Sequence, residues 1–443
     1  MKCSIVVIGG AVAASVILAG CGSGSSSSVS STGAGAPIFV QNIPMPNVNA
    51  ATNYGFDLGV VVNRAPTPGF YAFTDRNNKA VQRIDVATKT LTASIQGLGA
   101  TAFAGAVIPA GKTAVDNSVS GPDGLNDIAA GTLYAGDVSS VKVINTVTNT
   151  VTSVINGGML AGSGVRADEG CVGSGPAAGT YMISTPEAAV PFATIINTAT
   201  NTVIATITFN DLAGAPSAGL EQCRYDAAND LWFVNNDGTT ANPHGELDSM
   251  TGASIRAIPA GAVCPGPSCV NYTALAGVKM FPMTATPAPG CDPTGLALGP
   301  GTDIAIMCRE GTTNAPLLIQ ILNRLTGAIV ASINAGGGDQ LEYDPTSNRY
   351  YGASNRFTNS GLAGTGGACS GASPCTPVLA EIDAATRSLR STIAIGNNAH
   401  SVAVDPVTGL IFVPFSSAGS PGGCATCVAN GYINGGVSVF QRQ

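Results

Sequence analysis

The sequence predicts an all-β chain, a seven-bladed β-propeller of four-stranded blades whose last blade is closed by the N-terminal strand. Three observations predict it. A thirteen-residue motif recurs six times, a second pair of apolar runs precedes each copy, and an unfinished hairpin at the C-terminal end matches an unpaired apolar segment near the N-terminal end. The six copies are RIDVATKTLTASI at 83–95, VINTVTNTVTSVI at 143–155, IINTATNTVIATI at 195–207, ELDSMTGASIRAI at 246–258, ILNRLTGAIVASI at 321–333 and EIDAATRSLRSTI at 381–393.

Each copy reads as two strands and a turn. Its third residue (Asp85, Asn145, Asn197, Asp248, Asn323, Asp383) and the Thr three positions on can fold their oxygens onto nearby backbone N–H groups and close a turn. β-Branched residues flank that turn with rough alternation, which favours extended chain over helix. The preceding pair of runs is clearest at 401–404 with 410–415, joined by DPVTG, and at 341–343 with 349–352, joined by DPTSN. Two hairpins per repeat make one blade. The third-place residues lie 60, 52, 51, 75 and 60 residues apart, and VSVFQ at 437–441 opens a seventh hairpin with no second strand. The apolar segment PIFVQNI at 37–43 supplies that strand, and closing the ring removes an exposed edge.

A closed ring of repeats is one unit, so 443 residues are read as one large domain, residues 37–443, behind a leader. Residues 1–20 read as a secretory signal, with Lys2 ahead of the apolar run 5–18, too short to span a bilayer. The run ends in Leu18, Ala19, Gly20 and Cys21, which resembles a bacterial lipobox; the resemblance implies cleavage before Cys21, lipidation of its sulfur and a membrane-anchored protein. Residues 22–36 then form a Ser/Gly-rich tether. Gly22 after the acylated Cys implies the outer membrane of the cell envelope. Charged residues are 10% of the chain and the net charge is −7, with no cluster of Lys and Arg, which argues against nucleic acid as a partner. A monomer is expected.

Of twelve Cys, ten remain after Cys3 in the signal and Cys21 at the lipid, an even number in an exported chain. Spacing pairs Cys264 with Cys269, Cys369 with Cys375, Cys424 with Cys427 and Cys291 with Cys308, which leaves Cys171 with Cys223. The 424–427 pair reads as a structural disulfide. No second ligand pair of zinc spacing follows it, and Val428 stands where haem attachment needs His.

Propeller topology puts the loops entering each blade's first strand on one face around a central channel. Long insertions at 96–121, 259–290, 355–377 and 416–436 are expected there, the usual place for a binding surface. Register puts Glu221, Thr294, Asp339 and His400 together at the channel mouth, with Asp292 nearby and Asp57, Asp123 and Glu169 in looser alignment. The candidate ligand-binding residues are therefore Asp123, Glu169, Glu221, Gln222, Asp292, Asp339, Gln340 and His400. A hard cation such as Ca²⁺ would draw on Asp123, Asn126, Glu221, Asp292 and Asp339; the other reading, which the absence of a diagnostic ligand spacing favours, is that these residues hydrogen-bond loop backbones around a water-filled channel. His400 is the better base or ligand of the two histidines, His244 lying in the 235–245 loop. Neither a Gly-x-Ser-x-Gly elbow nor a Walker loop occurs, which argues against a nucleophilic hydrolase and a nucleotide enzyme.

The blade pattern resembles the YVTN-type β-propellers of exported and cell-surface proteins, most closely in VKVIN at 141–145, TNTV at 148–151 and LWFVNN at 231–236. That resemblance spans roughly residues 38–440 and implies the fold; with the lipobox and the long loops of one face, the expectation is a lipid-anchored, non-enzymatic binding or interaction module for a protein, glycan or small-molecule ligand. The acids at the channel mouth also resemble those of the gluconolactonase and paraoxonase-like propellers, which implies as an alternative a Ca²⁺-dependent lactonase-like hydrolase. Those enzymes are six-bladed, against seven blades here.

Overall fold

Alternation along each strand determines how this molecule packs. The computed structural model describes residues 31–32, 35–50, 54–64, 69–259, 261, 270–283, 291–308, 318–355, 376–419 and 424–443. Cys21 and the signal lie outside the described residues, as do the Cys264 with Cys269 and Cys369 with Cys375 pairings.

Seven antiparallel four-stranded units form the ring. From channel to rim, blade 1 is Phe56–Val62, Phe70–Asp75, Ala80–Asp85 and Thr90–Ile95, and blade 2 is Leu125–Ala129, Thr132–Asp137, Ser140–Asn145 and Thr150–Ile155. Blade 3 is Gly170–Val172, Thr180–Thr185, Phe192–Asn197 and Thr202–Thr208, and blade 4 is Leu220–Asp226, Leu231–Asn236, Glu246–Thr251 and Lys279–Pro282. Blade 5 is Pro293–Leu298, Asp303–Cys308, Leu318–Asn323 and Ile329–Asn334, and blade 6 is Leu341–Asp344, Arg349–Ser354, Val378–Asp383 and Ser388–Ala394. Blade 7 joins Ala403–Val404, Leu410–Phe415 and Gly436–Gln441 to the N-terminal strand Ile38–Pro44. Ile38 lies opposite Gln441 and Pro44 opposite Gly436, so the last blade is closed as the sequence predicts.

Successive side chains of a strand point to opposite faces, and both faces of a blade are covered by its neighbours. In blade 1, Tyr71 and Phe73 pack on Phe412 and Val439 of blade 7, while Phe70 and Ala72 pack on Leu133 and Ala135 of blade 2. The buried apolar residues fall into seven clusters, one for each junction between neighbouring blades. Seven junctions among seven blades means that the ring is closed. Two disulfides reinforce it: Cys171 to Cys223 joins the inner strands of blades 3 and 4, and Cys291 to Cys308 spans the first hairpin of blade 5. A third, Cys424 to Cys427, opens the short helix Ala425–Ala429.

The repeat turns form as their chemistry dictates. Asp85 Oδ1 accepts from Thr88 N at 2.7 Å, Asn145 Oδ1 from Thr148 N at 3.0 Å and Asp383 Oδ1 from Thr386 N at 2.8 Å. The fourth copy departs from this pattern. Elsewhere the third-place residue pairs with the start of the second strand, as Asp85 does with Phe70, but in blade 4 Leu231 pairs with Thr251, three positions later. Asp248 is thus buried mid-strand, and Thr251 instead caps the helix Gly252–Arg256, its Oγ1 accepting from Ser254 N. Residues 252–258 are therefore not a strand. The outer strand comes from Lys279–Pro282, inside the insertion expected on the loop face. In the same insertion Val270–Asn271 runs parallel to the outer strand of blade 3, so this excursion lies along the rim of blades 3 and 4.

The tether differs too. Ser31–Thr32 pairs antiparallel with the outer strand of blade 6, opposite Ile393 and Thr392 near that strand's loop-face end. This part of residues 22–36 covers a sheet edge rather than hanging free.

Candidate functional site

The channel mouth is built where inner strands begin. Strand pairing is shifted between Phe56 and Gly59, between Leu220 and Cys223, and between Pro293 and Leu296. Such bulges leave Asp57, Glu221 and Thr294 out of the ladder at the entrance. Counting from the paired ends of the inner strands, Asp57 in blade 1 and Asp168 in blade 3 hold the same place as Glu221, Asp339 and His400. The sequence reading named Glu169 in blade 3 and passed over its neighbour.

A buried charge network follows. The Arg76 guanidinium donates to Asp123 from Nε at 2.6 Å and to Asp57 Oδ2 from Nη2 at 2.8 Å. Arg166 reaches Asp168 Oδ2 and Glu187 Oε1, each at 2.8 Å, and lies 3.5 Å from both Asp57 and Asp123. Blades 2 and 3 meet closely here: a side chain at Gly124 would strike the Asp168 carbonyl oxygen.

Carboxylates outnumber these cations. Burial, with Glu221, Asp168, Asp57 and Asp339 nearby, pushes Glu169 well above the ordinary carboxyl range. Burial likewise raises Asp57 against the pull of Arg76, and takes Asp123 to about 6. Arg166 stays protonated despite burial because Asp168, Asp123, Glu187 and Asp57 surround it. Among the described residues, Asp123 Oδ2 and Glu169 Oε2 are buried with no hydrogen-bond partner.

His400 stands on the other side of the mouth. Its ring stacks on Phe56, with centroids 4.6 Å apart and planes 9° apart. Nδ1 lies 2.6 Å from the Asn398 carbonyl oxygen, which can only accept, so Nδ1 carries the proton. Nε2 then faces Asp339 Oδ2 at 3.8 Å and Asp57 Oδ1 at 4.0 Å, both beyond hydrogen-bond range. The His400 carbonyl oxygen accepts from Asp339 N and Gln340 N, which ties the ends of blades 6 and 7 together.

Between these groups lies a cavity of about 440 Å³ lined by Asp57, Arg76, Arg166, Asp339, Asn355 and His400, within the size range of small-ligand pockets. A second cavity of about 350 Å³ lies along the inner strands. Gln222, Gln340 and Asn126 line that second cavity as ties between strands. Gln222 Oε1 accepts from Leu296 N at 2.6 Å, and Gln340 bridges Gly59 O and Val402 N. Asn126 donates to Gly170 O and accepts from Tyr181 Oη.

The five oxygen donors expected for Ca²⁺ are therefore divided. Asp123 is clamped by arginine, Asn126 is engaged by Gly170 and Tyr181, and Asp292, whose N–H donates to His244 O, does not line the mouth cavity. Among the described residues the groups whose ligand atoms approach within 4.8 Å are Asp57 with Asp339 and His400, and Asp57 with Asp123 and Asp168. Arg76 and Arg166 escaped the sequence reading because each joins acids of its own blade to acids of another at unrelated spacings: Arg76 holds Asp57 and Asp123, and Arg166 holds Asp168 and Glu187 and approaches Asp57 and Asp123. Two arginines at loop ends in a chain with 19 Lys and Arg were the available signal.

No protein-family model and no curated protein matches the chain. Among solved structures it is similar to a chain of hydrazine synthase from Kuenenia stuttgartiensis, at 11% identity and a TM-score of 0.56, over 91% of this chain and 99% of that one. It is also similar to a chain of a mitotic checkpoint complex, at 11% identity and a TM-score of 0.51, over 91% and 95%. The WD40 domain of Neurospora crassa Pan2 matches at 7% identity and a TM-score of 0.50, over 89% of each chain. At these identities the likeness establishes the propeller fold.

Proposed function

We propose that this chain is a lipid-anchored propeller of the bacterial cell envelope, of the YVTN kind, which binds a small polar ligand in the cavity at its channel mouth. One observation carries the reading: the buried or half-buried charged side chains of Asp57, Arg76, Arg166, Asp339 and His400 converge on one cavity of about 440 Å³ at the loop face. A fold stabilised by apolar blade junctions has no need of such groups there, and retaining them costs stability. The lipobox ending in Cys21, followed by Gly22, supports anchoring at the outer membrane, and the propellers similar in fold include a chain of an assembly named as a complex. A Ca²⁺-dependent lactonase site draws no support, since its expected ligands do not converge.

Thermal-shift screening of polar metabolites and glycans tests the proposal. A ligand at one hundred times its Kd stabilises the folded state by about 2.7 kcal/mol. The shift should vanish in Asp339→Ala, whose side chain is 28% exposed and lines the cavity without supporting the core. A ligand whose shift survives Asp339→Ala and Asn355→Ala places the binding face elsewhere and refutes the proposal.

A further inference from the structure

We infer that Asp57, Asp339 and His400 form a site for a divalent first-row transition ion of the Mn²⁺ or Zn²⁺ type, open on one side to the mouth cavity. The inference rests on the reading of the mouth as the binding site and names what would anchor a ligand there.

Geometry is the first ground. His400 Nε2 is 3.8 Å from Asp339 Oδ2 and 4.0 Å from Asp57 Oδ1, and the three ligand atoms lie within 4.8 Å of one another. An ion at the centre of such a triangle lies roughly 2.1–2.5 Å from each corner, the range of metal–nitrogen and metal–oxygen bonds.

The second ground is the imidazole, which is independent of the acids. Its side chain is 9% exposed, its Nδ1–H is committed to the Asn398 carbonyl, and its plane is held by Phe56. A ligating histidine is oriented in this way, one nitrogen donating to a carbonyl and the other presenting its lone pair. Among the described residues Nε2 makes no hydrogen bond, and it points between two carboxylates. Asp57 is divided in the same sense: Oδ2 takes the Arg76 and Arg166 contacts, while Oδ1 is the oxygen nearest His400.

Chemistry selects the ion. Ca²⁺ takes six to eight oxygen ligands, whereas one imidazole with two carboxylates suits Mn²⁺ or Zn²⁺ and leaves positions for water or a ligand oxygen. The neighbouring group of Asp57, Asp123 and Asp168 has no imidazole, and Arg76 and Arg166 already occupy one oxygen of each of its carboxylates. Two groups of similar spacing thus have opposite roles.

Equilibrium dialysis of the untagged full-length protein against Mn²⁺, Zn²⁺, Ca²⁺ and Mg²⁺, with bound metal counted by mass spectrometry, tests the inference. One equivalent of Mn²⁺ or Zn²⁺ is expected, weakened at least about 100-fold in His400→Ala and about 10-fold in Asp339→Asn, and unchanged in His244→Ala. Should His400→Ala not fold, the Co²⁺-loaded Asp339→Asn protein provides the same test through a changed visible spectrum. Failure to retain one equivalent, preference for Ca²⁺, or an equal loss in His244→Ala overturns the inference. Metal-free protein that still binds a ligand lost in Asp339→Ala would overturn the ion alone and leave the binding face in place.

Discussion

Ile43 is the residue through which closure of the ring can be measured. It lies in the N-terminal strand, 4% exposed, in the junction formed with Phe56, Tyr71, Phe412 and Val437, whereas Ile38 in the same strand is 53% exposed. Ile43→Ala deletes three buried carbons, about 2.4 kcal/mol of transfer free energy at ~0.8 kcal/mol each, and the cavity left behind brings the loss to about 3–4 kcal/mol. Unfolding entropy of ~2.1 cal/mol/K per residue over about 400 residues converts this to a fall in Tm of about 4 °C. Ile38→Ala should stay within about 1 °C of wild type. Calorimetry with denaturant titration at constant m measures both. If Ile43→Ala and Ile38→Ala are equally mild, the strand does not close the seventh blade in solution and the packing argument fails.

The Cys171→Ala, Cys223→Ala double variant should lose about 4 kcal/mol, the loop-closure term for a separation of 52 residues, as measured by urea unfolding. Breaking Cys424 to Cys427, separated by 3, should remove less than half as much. Arg76→Ala strands Asp57 and Asp123 in the interior and should destabilise by about 3–5 kcal/mol, part of which Asp123→Asn in the same chain recovers. Glu246 is buried beside Asp248 and Asp211, and burial raises it to about 7 from an unfolded value near 4.5. A raised carboxyl contributes stability below about pH 4.5 and loses it as pH rises through 7. The stability gap between Glu246→Gln and wild type should therefore move in the variant's favour by about 1–3 kcal/mol from pH 5 to pH 8, screening by solvent included. A pH-independent gap contradicts the assignment.

Residue chemistry explains what was legible in the sequence. The turns at Asp85, Asn145, Asn197, Asn323 and Asp383 are local, closed by a side chain reaching two or three residues onward, so a repeat search finds them. Copy four misleads because Asp248 and Thr251 keep the motif's letters while the strand runs three residues longer, a register set by pairing with Leu231 that spacing does not encode. At the mouth, Glu221, Asp339 and His400 were found by aligning inner strands, because each blade repeats its own register. Gln222, Gln340 and Asn126 read as ligands by residue type, yet they are engaged by groups of other blades: backbone for Gln222 and Gln340, and Gly170 O with the Tyr181 hydroxyl for Asn126. Asp168 was hidden by the adjacent Glu169, and the roles of Arg76 and Arg166 depend on contacts between blades.

Anomalous diffraction from Mn²⁺-soaked crystals tests the central claim most directly, because it locates an ion by its electrons alone. The account predicts one difference peak at the channel mouth, roughly 2.1–2.5 Å from His400 Nε2, Asp57 Oδ1 and Asp339 Oδ2, lost in His400→Ala. An empty triangle in crystals that carry the peak elsewhere, for instance beside Glu246 and Asp248, would contradict it.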